Sequence, residues 1–308
     1  MFQRLKFIPL LGSMLLACSA HAGKLAIVID DFGYRPAQEN QVLQMPQAIS
    51  VAVLPNAPHA REMATKAHQR GHEVLIHLPM APLSKQPLEK DTLRPDMNSA
   101  EIERIISEAV KKVPYAIGMN NHMGSAMTSS LFGMQKVMQV LDHYNLYFLD
   151  SMTIGNSQST RAATGTSVKV IKRRVFLDDN QNEAEVRKQF TRAVRLAQRD
   201  GSAIAIGHPH PSTVRVLQQM LPTLPGDITL VRPSQLLGEP QHINNKPLPP
   251  ETKPVNPAQP AKPRNPFRGI ETCVNKQPQQ PVPATRALAV IGDSIAESHL
   301  AKTLESLF

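Results

Sequence analysis

The 308-residue sequence has no tryptophan, only two cysteines and few aromatic residues, which make up 4% of the chain. Two cysteines exclude a disulfide-rich scaffold and a cysteine-rich zinc module. The formal net charge of +9 is not concentrated in a dense block of lysine and arginine, so the composition gives no support to nucleic-acid binding. Hydrophobic residues make up 41% of the chain, which is enough for a large and mostly aliphatic core.

Residues 1–22 have the pattern of a secretory signal peptide. Two basic residues precede an apolar stretch at 7–17 that is too short to span a bilayer, and residues 20–22 form a small-x-small cleavage site. Cleavage after Ala22 predicts a mature chain that begins at Gly23 and is periplasmic or secreted. A lipoprotein anchored at Cys18 is the alternative, because residues 15–18 resemble a lipobox.

The residues after 238 differ in composition from those before. Twelve of the 27 prolines lie between Pro240 and Pro283, so residues 239–285 are predicted to be a Pro-rich, disordered linker. Residues 286–308 regain an apolar pattern that predicts a short strand and a helix. The sequence at 292–294 resembles the nucleophile block of a GDS-type esterase, but the 14 residues that follow Ser294 are too few to complete such an enzyme.

Between residues 23 and 238, short apolar runs alternate with helical patterns. The runs lie at 25–29, 49–54, 74–76, 116–119, 146–149, 168–171, 175–177, 203–206 and 228–231. Asn98 can cap the clearest helical segment, and Gly201 ends another. This alternation predicts an α/β fold in which seven or eight parallel strands form a distorted (β/α) barrel.

Carboxylates, amides and imidazoles follow most of the predicted strands, at the end where such folds place functional residues. They are Asp30, Asp31, His77, Asn120, Asn121, His122, Asp150, Asp178, His208 and His210. A single histidine at a strand end is more often a packed, hydrogen-bonded residue than a ligand. Residues of these types at several strand ends, however, indicate one convergent site.

The most specific chemistry these residues offer is a metal centre. Asp31, His77 and His122 provide one oxygen and two nitrogens, the ligand types of a catalytic zinc that keeps a position open for water. Cobalt, nickel or manganese would accept the same set. In this reading Asp30 takes a proton from the water and His208 gives one to the leaving group.

Several motifs resemble those of a known family. Residues 26–33, a strand ending in Asp30-Asp31 with Gly33 nearby, are similar to the first motif of polysaccharide deacetylases, and residues 71–80, in which a Gly-His-Glu strand leads to His77, are similar to the second. The sequences at 120–125, 148–151 and 206–209 resemble those of the divergent polysaccharide deacetylases, a secreted bacterial group among the NodB-like deacetylases. The resemblance covers roughly residues 24–237.

The resemblance implies a NodB-like barrel, a divalent metal and removal of acetyl groups from an N-acetylated saccharide such as peptidoglycan or another envelope or extracellular glycan. By motif position, Asp30 matches the catalytic base, Asp31 and His77 match metal ligands, and His208 matches the catalytic acid. Ordinary members carry a second metal histidine four residues after the first, where this chain has Ala81. His122 is the natural substitute for that histidine.

This departure has two consequences. His122 occupies the place of an arginine-containing motif, so the arginine partner of the base is expected to be missing, with Asn120, Asn121 and Asp150 taking over part of its role. Asp178 and His210 are expected to support the site or contact substrate. A second hypothesis stays open, in which the protein is a catalytically degenerate member that binds a glycan, or an envelope protein through the Pro-rich tail.

Overall fold

The computed structural model describes residues 22–239. The strands are β1 (Gly23–Phe32), β2 (Ser50–Val53), β3 (Val74–Met80), β4 (Ala116–Met123), β5 (Tyr147–Asp150), β6 (Val170–Lys172), β7 (Val175–Phe176), β8 (Ser202–Gly207) and β9 (Ile228–Val231). The helices are α1 (Pro36–Val42), α2 (Ala60–Gln69), α3 (Ser99–Lys112), α4 (Ser125–Ser129), α5 (Leu131–His143), α6 (Ser159–Ala162), α7 (Glu183–Asp200) and α8 (Pro211–Met220). The predicted signal peptide up to His21, with Cys18, the predicted linker from Pro240 onward and the C-terminal segment lie outside the described residues.

Each of the apolar runs forms a strand, and the strands make one 9-stranded sheet in the order β6-β5-β4-β3-β2-β1-β8-β7, with β9 beside β1. Every ladder in it is parallel. Parallel strands are covered on both faces, which is why they read as continuous apolar runs instead of alternating ones. The prediction of an α/β fold with a distorted (β/α) barrel of parallel strands is confirmed: eight strands form the curled path, and β9 is added to it beside β1.

The sheet curls until its two ends meet. Its end strands are β6 and β7, and only Arg173 and Arg174 separate them in the chain. The Arg173 N–H donates to the carbonyl of Asp150 in β5 (2.9 Å), and the Arg174 N–H donates to the carbonyl of Ile204 in β8 (2.8 Å). The extended segment that contains β6 and β7 therefore pairs first with β5 and then with β8. This change of partner distorts the barrel.

The sheet separates two apolar clusters. The larger cluster lies between the outer face of the strands and the helices, whereas the smaller one contains only residues of the strands and of the segment after β9, and therefore fills the interior. Gly118 lets the ring of Tyr147 enter this interior, because a Cβ atom at Gly118 would lie 2.5 Å from that ring. The Tyr147 hydroxyl donates to the buried Glu73 carboxylate at 2.6 Å, which satisfies its polar end.

Helix boundaries follow the capping residues in the sequence. The Asn98 side chain accepts from the Glu101 N–H at the start of α3, and the Glu101 carboxylate accepts from the Asn98 N–H, so the two form a capping box. Gly201 ends α7 in the left-handed conformation with φ 82. Within residues 22–239, no helix has the length and apolar character needed to cross a membrane.

Candidate active site

The candidate site is the layer of the barrel interior at the carboxyl ends of the strands. Val28, Leu75, Leu149, Ile171 and Ile206 belong to the apolar interior cluster. Side chains of a strand alternate between its two faces, so a residue two positions further along points to the same side. Two positions after these five residues, toward the carboxyl ends of the strands, lie Asp30, His77, Ser151, Arg173 and His208, whose side chains therefore also point to the interior. Asn120 belongs to the same set, because it lies two positions after Gly118.

Asp30 and Asp31 are adjacent and nevertheless both reach the site. Asp31 adopts a left-handed conformation with φ 57, and the register between β1 and β2 shifts between Ile29 and Phe32. Such an irregularity lets a strand turn a side chain out of the usual alternation. Aspartate tolerates left-handed backbone better than most residues do. The bulge is thus what allows two consecutive carboxylates to face one point.

Asp31, His77 and His122 bring three potential ligand atoms together. Asp31 Oδ1 lies 3.3 Å from His77 Nε2 and 3.2 Å from His122 Nδ1, and the two nitrogens are 3.1 Å apart. Ligands about 2.1 Å from a tetrahedral ion lie about 3.4 Å from one another. The three atoms therefore fit a shared divalent cation.

The hydrogen bonds around the three residues favour the same reading. His77 Nδ1 lies 2.8 Å from Asn120 Oδ1, and Asn120 Nδ2 donates to Asp30 Oδ1 at 2.8 Å. Because the amide oxygen can only accept, a neutral His77 keeps its proton on Nδ1 and a lone pair on Nε2. The Oδ1 atom of Asp31 is buried and has no hydrogen-bond partner among residues 22–239. A lone pair and a carboxylate oxygen without a hydrogen bond, facing each other, suit a bound cation.

The two aspartates differ in acidity. Burial raises the pKa of Asp30, although the charges of His77 and His208 and the hydrogen bond from Asn120 oppose the shift. Burial would also raise the pKa of Asp31, but its contacts with His122 and His77 outweigh burial and hold the pKa well below its ordinary value. Asp31 is therefore the permanent anion of the pair, whereas Asp30 is the better proton acceptor.

Glu89 is a contact of His122 that no motif in the sequence predicts. Glu89 Oε1 lies 3.5 Å from His122 Nε2, so this nitrogen can keep the proton while Nδ1 turns a lone pair toward Asp31 and His77. Carboxylates commonly orient metal-binding imidazoles in this way. Glu89 lies in the long connection between β3 and α3, where no periodic pattern predicts which residue returns to the site.

Replacing Glu89 by alanine is expected to weaken metal binding about 10- to 100-fold, because His122 would lose the partner that fixes its orientation. The metal affinity of Glu89→Gln should lie between those of the wild type and Glu89→Ala, since the amide oxygen can still accept from Nε2–H of His122. Competition with a chromophoric chelator for zinc or cobalt measures the affinities. Glu108→Ala, which removes an exposed carboxylate on α3, is the control. Unchanged affinity in Glu89→Ala would show that this contact has no such role.

Asp178 fixes the orientation of His208. His208 Nδ1 lies 3.0 Å from Asp178 Oδ1, and Asp178 Oδ2 accepts from the His208 N–H (2.6 Å) and from the Thr213 hydroxyl (2.7 Å). Burial would lower the pKa of His208, but the hydrogen bond to Asp178 and the charges of Asp178, Asp30 and Asp31 raise it to about 9. His208 is therefore protonated at neutral pH, and its Nε2 lies 3.9 Å from Asp31 Oδ2.

An arginine, expected to be missing, does lie near Asp30. Arg173 Nε donates to the Ser151 carbonyl at 2.6 Å, Nη2 donates to the Met152 carbonyl at 2.8 Å, and the guanidinium lies 4.9 Å from the centre of the Phe176 ring. Burial lowers the pKa of Arg173, whereas the nearby charge of Asp30 raises it. The arginine comes from the segment that changes partner between β5 and β8, so no motif in the sequence placed it beside Asp30.

Asp150 contacts its own loop instead of the barrel interior. It follows the interior residue Leu149 and so faces outward. Its carboxylate accepts from the Met152 N–H (2.8 Å), from the Ser157 hydroxyl (2.6 Å) and from the Ser159 hydroxyl. Asp150, predicted from the sequence to contact substrate or support the site, thus supports the loop after β5.

Asn121 and His210 lie at the edge of the site. Asn121 accepts from the Ser151 N–H at 2.9 Å and thereby holds the start of the same loop. His210 has Arg35 Nη1 at 2.9 Å from Nδ1 and Gln181 Nε2 at 3.1 Å from Nε2. Asp178, His208 and His210 are also close enough to hold an ion. Because Asp178 and His210 are already engaged by other side chains, that second group is less suited to a metal than the first.

Comparison with known proteins agrees with these observations. Residues 27–237 match the family model described as divergent polysaccharide deacetylase. The uncharacterized protein YibQ of Escherichia coli K12 is 70% identical over 279 residues, which are 91% of this chain and 85% of YibQ. An uncharacterized protein of Haemophilus influenzae is 42% identical over 242 residues, which are 79% of this chain and 86% of that protein.

A solved structure shows the same fold. The crystal structure of an uncharacterized protein from Agrobacterium tumefaciens C58 superposes with a TM-score of 0.67 at 21% identity, over 71% of this chain and 90% of that one. The family match covers more than half of the sequence and contains every residue of the candidate site. The chain belongs to the divergent polysaccharide deacetylase family.

Proposed function

We propose that the protein is a metal-dependent hydrolase that removes acetyl groups from an N-acetylated saccharide of the cell envelope or the extracellular space. The observation that carries this proposal is the arrangement of Asp31, His77 and His122 around one point, with Asp30 and His208 beside them. Family membership supports a polysaccharide as the substrate. The signal-peptide pattern of the sequence supports action in the periplasm or outside the cell.

Asp31 Oδ1, His77 Nε2 and His122 Nδ1 would hold the divalent cation, for which zinc is the first candidate. When bound, the cation supplies Lewis acidity that activates a water molecule and polarises the acetyl carbonyl. Asn120 keeps His77 in the tautomer that leaves Nε2 free, and Glu89 does the same for Nδ1 of His122. The chain thus fixes the geometry of the ligands before the cation binds.

Asp30 is the proposed general base. Asn120 holds its Oδ1, while its Oδ2 lies 3.7 Å from His77 Nε2 and therefore borders the cation site. Its raised pKa brings its basicity closer to neutral pH, where a general base is most effective. Asp30 takes the proton from the water as the water oxygen bonds to the acetyl carbon.

His208 is the proposed general acid. Asp178 holds its Nδ1–H, so the proton on Nε2 is the one that faces the site. That proton passes to the amide nitrogen as the C–N bond breaks, which releases acetate and leaves a free amine on the sugar. Arg173 adds a fixed positive charge near Asp30, where negative charge otherwise accumulates.

A catalytically degenerate member is the second candidate function. Ala81 favours it, since this chain lacks the second metal histidine at its usual position. In that case the same pocket would bind a glycan without turnover, or the Pro-rich tail would bind an envelope protein.

Release of acetate tests the proposal. The chain from Gly23 to Phe308, loaded with zinc or cobalt, should release acetate from N-acetylglucosamine oligomers or from peptidoglycan glycan strands, with one new amine for each acetate. Asp31→Ala should release none under the same conditions. A metal-loaded protein that releases no acetate from any of these glycans would favour the degenerate alternative.

A further inference from the structure

A cavity of about 560 Å³ lies beside the candidate site, and the proposed reaction does not use it. Its walls come from the loop after β5, from the segment at the junction of β6 and β7, and from one face of α7. Arg173, Phe176, Asp179, Glu185, Gln189 and Arg192 are among the lining residues. A volume of this size accommodates a sugar unit.

Two side chains connect the cavity to the site. Phe176 lines the cavity, and its ring centroid lies 5.3 Å from that of His208. Arg173 also lines the cavity, and its guanidinium lies over the Phe176 ring. A saccharide with its acetyl group between Asp30 and His208 could therefore extend its neighbouring unit past Phe176 into the cavity.

The charges in the cavity favour an anion. The guanidinium of Arg192 has a hydrogen bond to Gln189 Oε1 at 3.3 Å and forms no ion pair with a carboxylate in the described part of the chain. Of the two acidic lining residues, Glu185 is already paired with Lys188 at 3.2 Å. The lining thus contains the guanidinium groups of Arg173 and Arg192, the carboxylate of Glu185 with its partner Lys188, and the carboxylate of Asp179, which forms no ion pair among residues 22–239.

We propose that this cavity binds a carboxylate carried by the saccharide substrate, on the unit next to the acetylated sugar. Guanidinium groups bind carboxylates through paired, charge-assisted hydrogen bonds, and an aromatic ring beside them suits the apolar face of a sugar. The substrate class is then an acidic glycan that contains a uronic acid or a lactyl ether. This inference rests on the proposed function, because it takes the acetylated unit to lie at Asp30 and His208.

Matched glycan probes test the carboxylate directly. The probes are a hyaluronan tetrasaccharide and a tetrasaccharide of alternating N-acetylglucosamine and N-acetylmuramic acid, each compared with its own carboxyl-reduced form. Calorimetry with the zinc-loaded chain should show at least one acidic probe binding about tenfold more tightly than its reduced form. Arg192→Gln should remove most of that preference, and Asp179→Asn should increase it.

The outcomes separate this inference from the proposed function. Equal binding of each acidic probe and its reduced form, absence of binding by both acidic probes, or an undiminished preference in Arg192→Gln would each overturn the inference. Acetate release from neutral N-acetylglucosamine oligomers by the unsubstituted chain tests the proposed function alone. A carboxylate preference without any acetate release would support the cavity site and reject the deacetylase.

Discussion

The protein with His122 replaced by alanine is expected to lose stoichiometric metal, while the wild-type protein retains close to one zinc, cobalt or nickel ion per chain. His122 Nδ1 lies 3.2 Å from Asp31 Oδ1 and 3.1 Å from His77 Nε2, so its removal leaves only two ligand atoms. The fold should persist, because this imidazole is partly exposed and its hydrogen-bonding, ion-pair and ring contacts are with Asp31, His77 and Glu89. Asp31→Ala and His77→Ala should behave in the same way.

Elemental analysis measures the bound metal, and thermal unfolding provides an independent readout. Free metal at 100 times its dissociation constant stabilises a protein by about 2.7 kcal/mol. For a domain of this size that corresponds to an increase of about 5–10 °C in Tm. Added metal should raise the Tm of the wild type and of the control His143→Ala, but not that of His122→Ala. Stoichiometric metal in all three ligand variants would place the metal elsewhere.

The strands could be predicted because their cause is local. A parallel strand that packs against helices on its outer face and against the barrel interior on its inner face requires a continuous apolar run. Such runs can be recognised in the sequence. Asp30, His77 and His208 could be predicted for a related reason, since each follows such a run at the carboxyl end of a strand. Asp178 was also found in this way, and it contacts His208.

Arg173 and Glu89 could not be predicted, because their positions depend on pairing and on loop conformation. Two apolar runs flank Arg173, and nothing local says that they form the two ends of one curled sheet. Glu89 reaches His122 through a long connection that has no period. Asp150 shows the opposite difficulty: it ends a strand as the site residues do, but its neighbour Leu149 occupies the inward position. Counting inward positions by alternation would have selected Ser151 instead.

The second large effect is expected at Asp30, where replacement by asparagine should lower kcat about 10²- to 10⁴-fold, the range for loss of a general base. Asparagine can still accept the hydrogen bond from Asn120 Nδ2, so the local structure should be retained. Its amide nitrogen, however, cannot take a proton in place of the second carboxylate oxygen. The metal content should stay close to one ion per chain, because Asp31, His77 and His122 are unchanged.

This combination of retained metal and lost turnover distinguishes a base from a ligand, since Asp31→Ala should lose both. Asp96→Asn, which neutralises an exposed aspartate paired with Arg94, should change neither. Undiminished kcat in Asp30→Asn would exclude Asp30 as the base.

The same variant separates the two candidate functions in cells. A deacetylase requires Asp30 to restore the phenotype of a deletion strain, whereas a degenerate binding protein should tolerate Asp30→Asn and fail instead when the chain is truncated after Leu237.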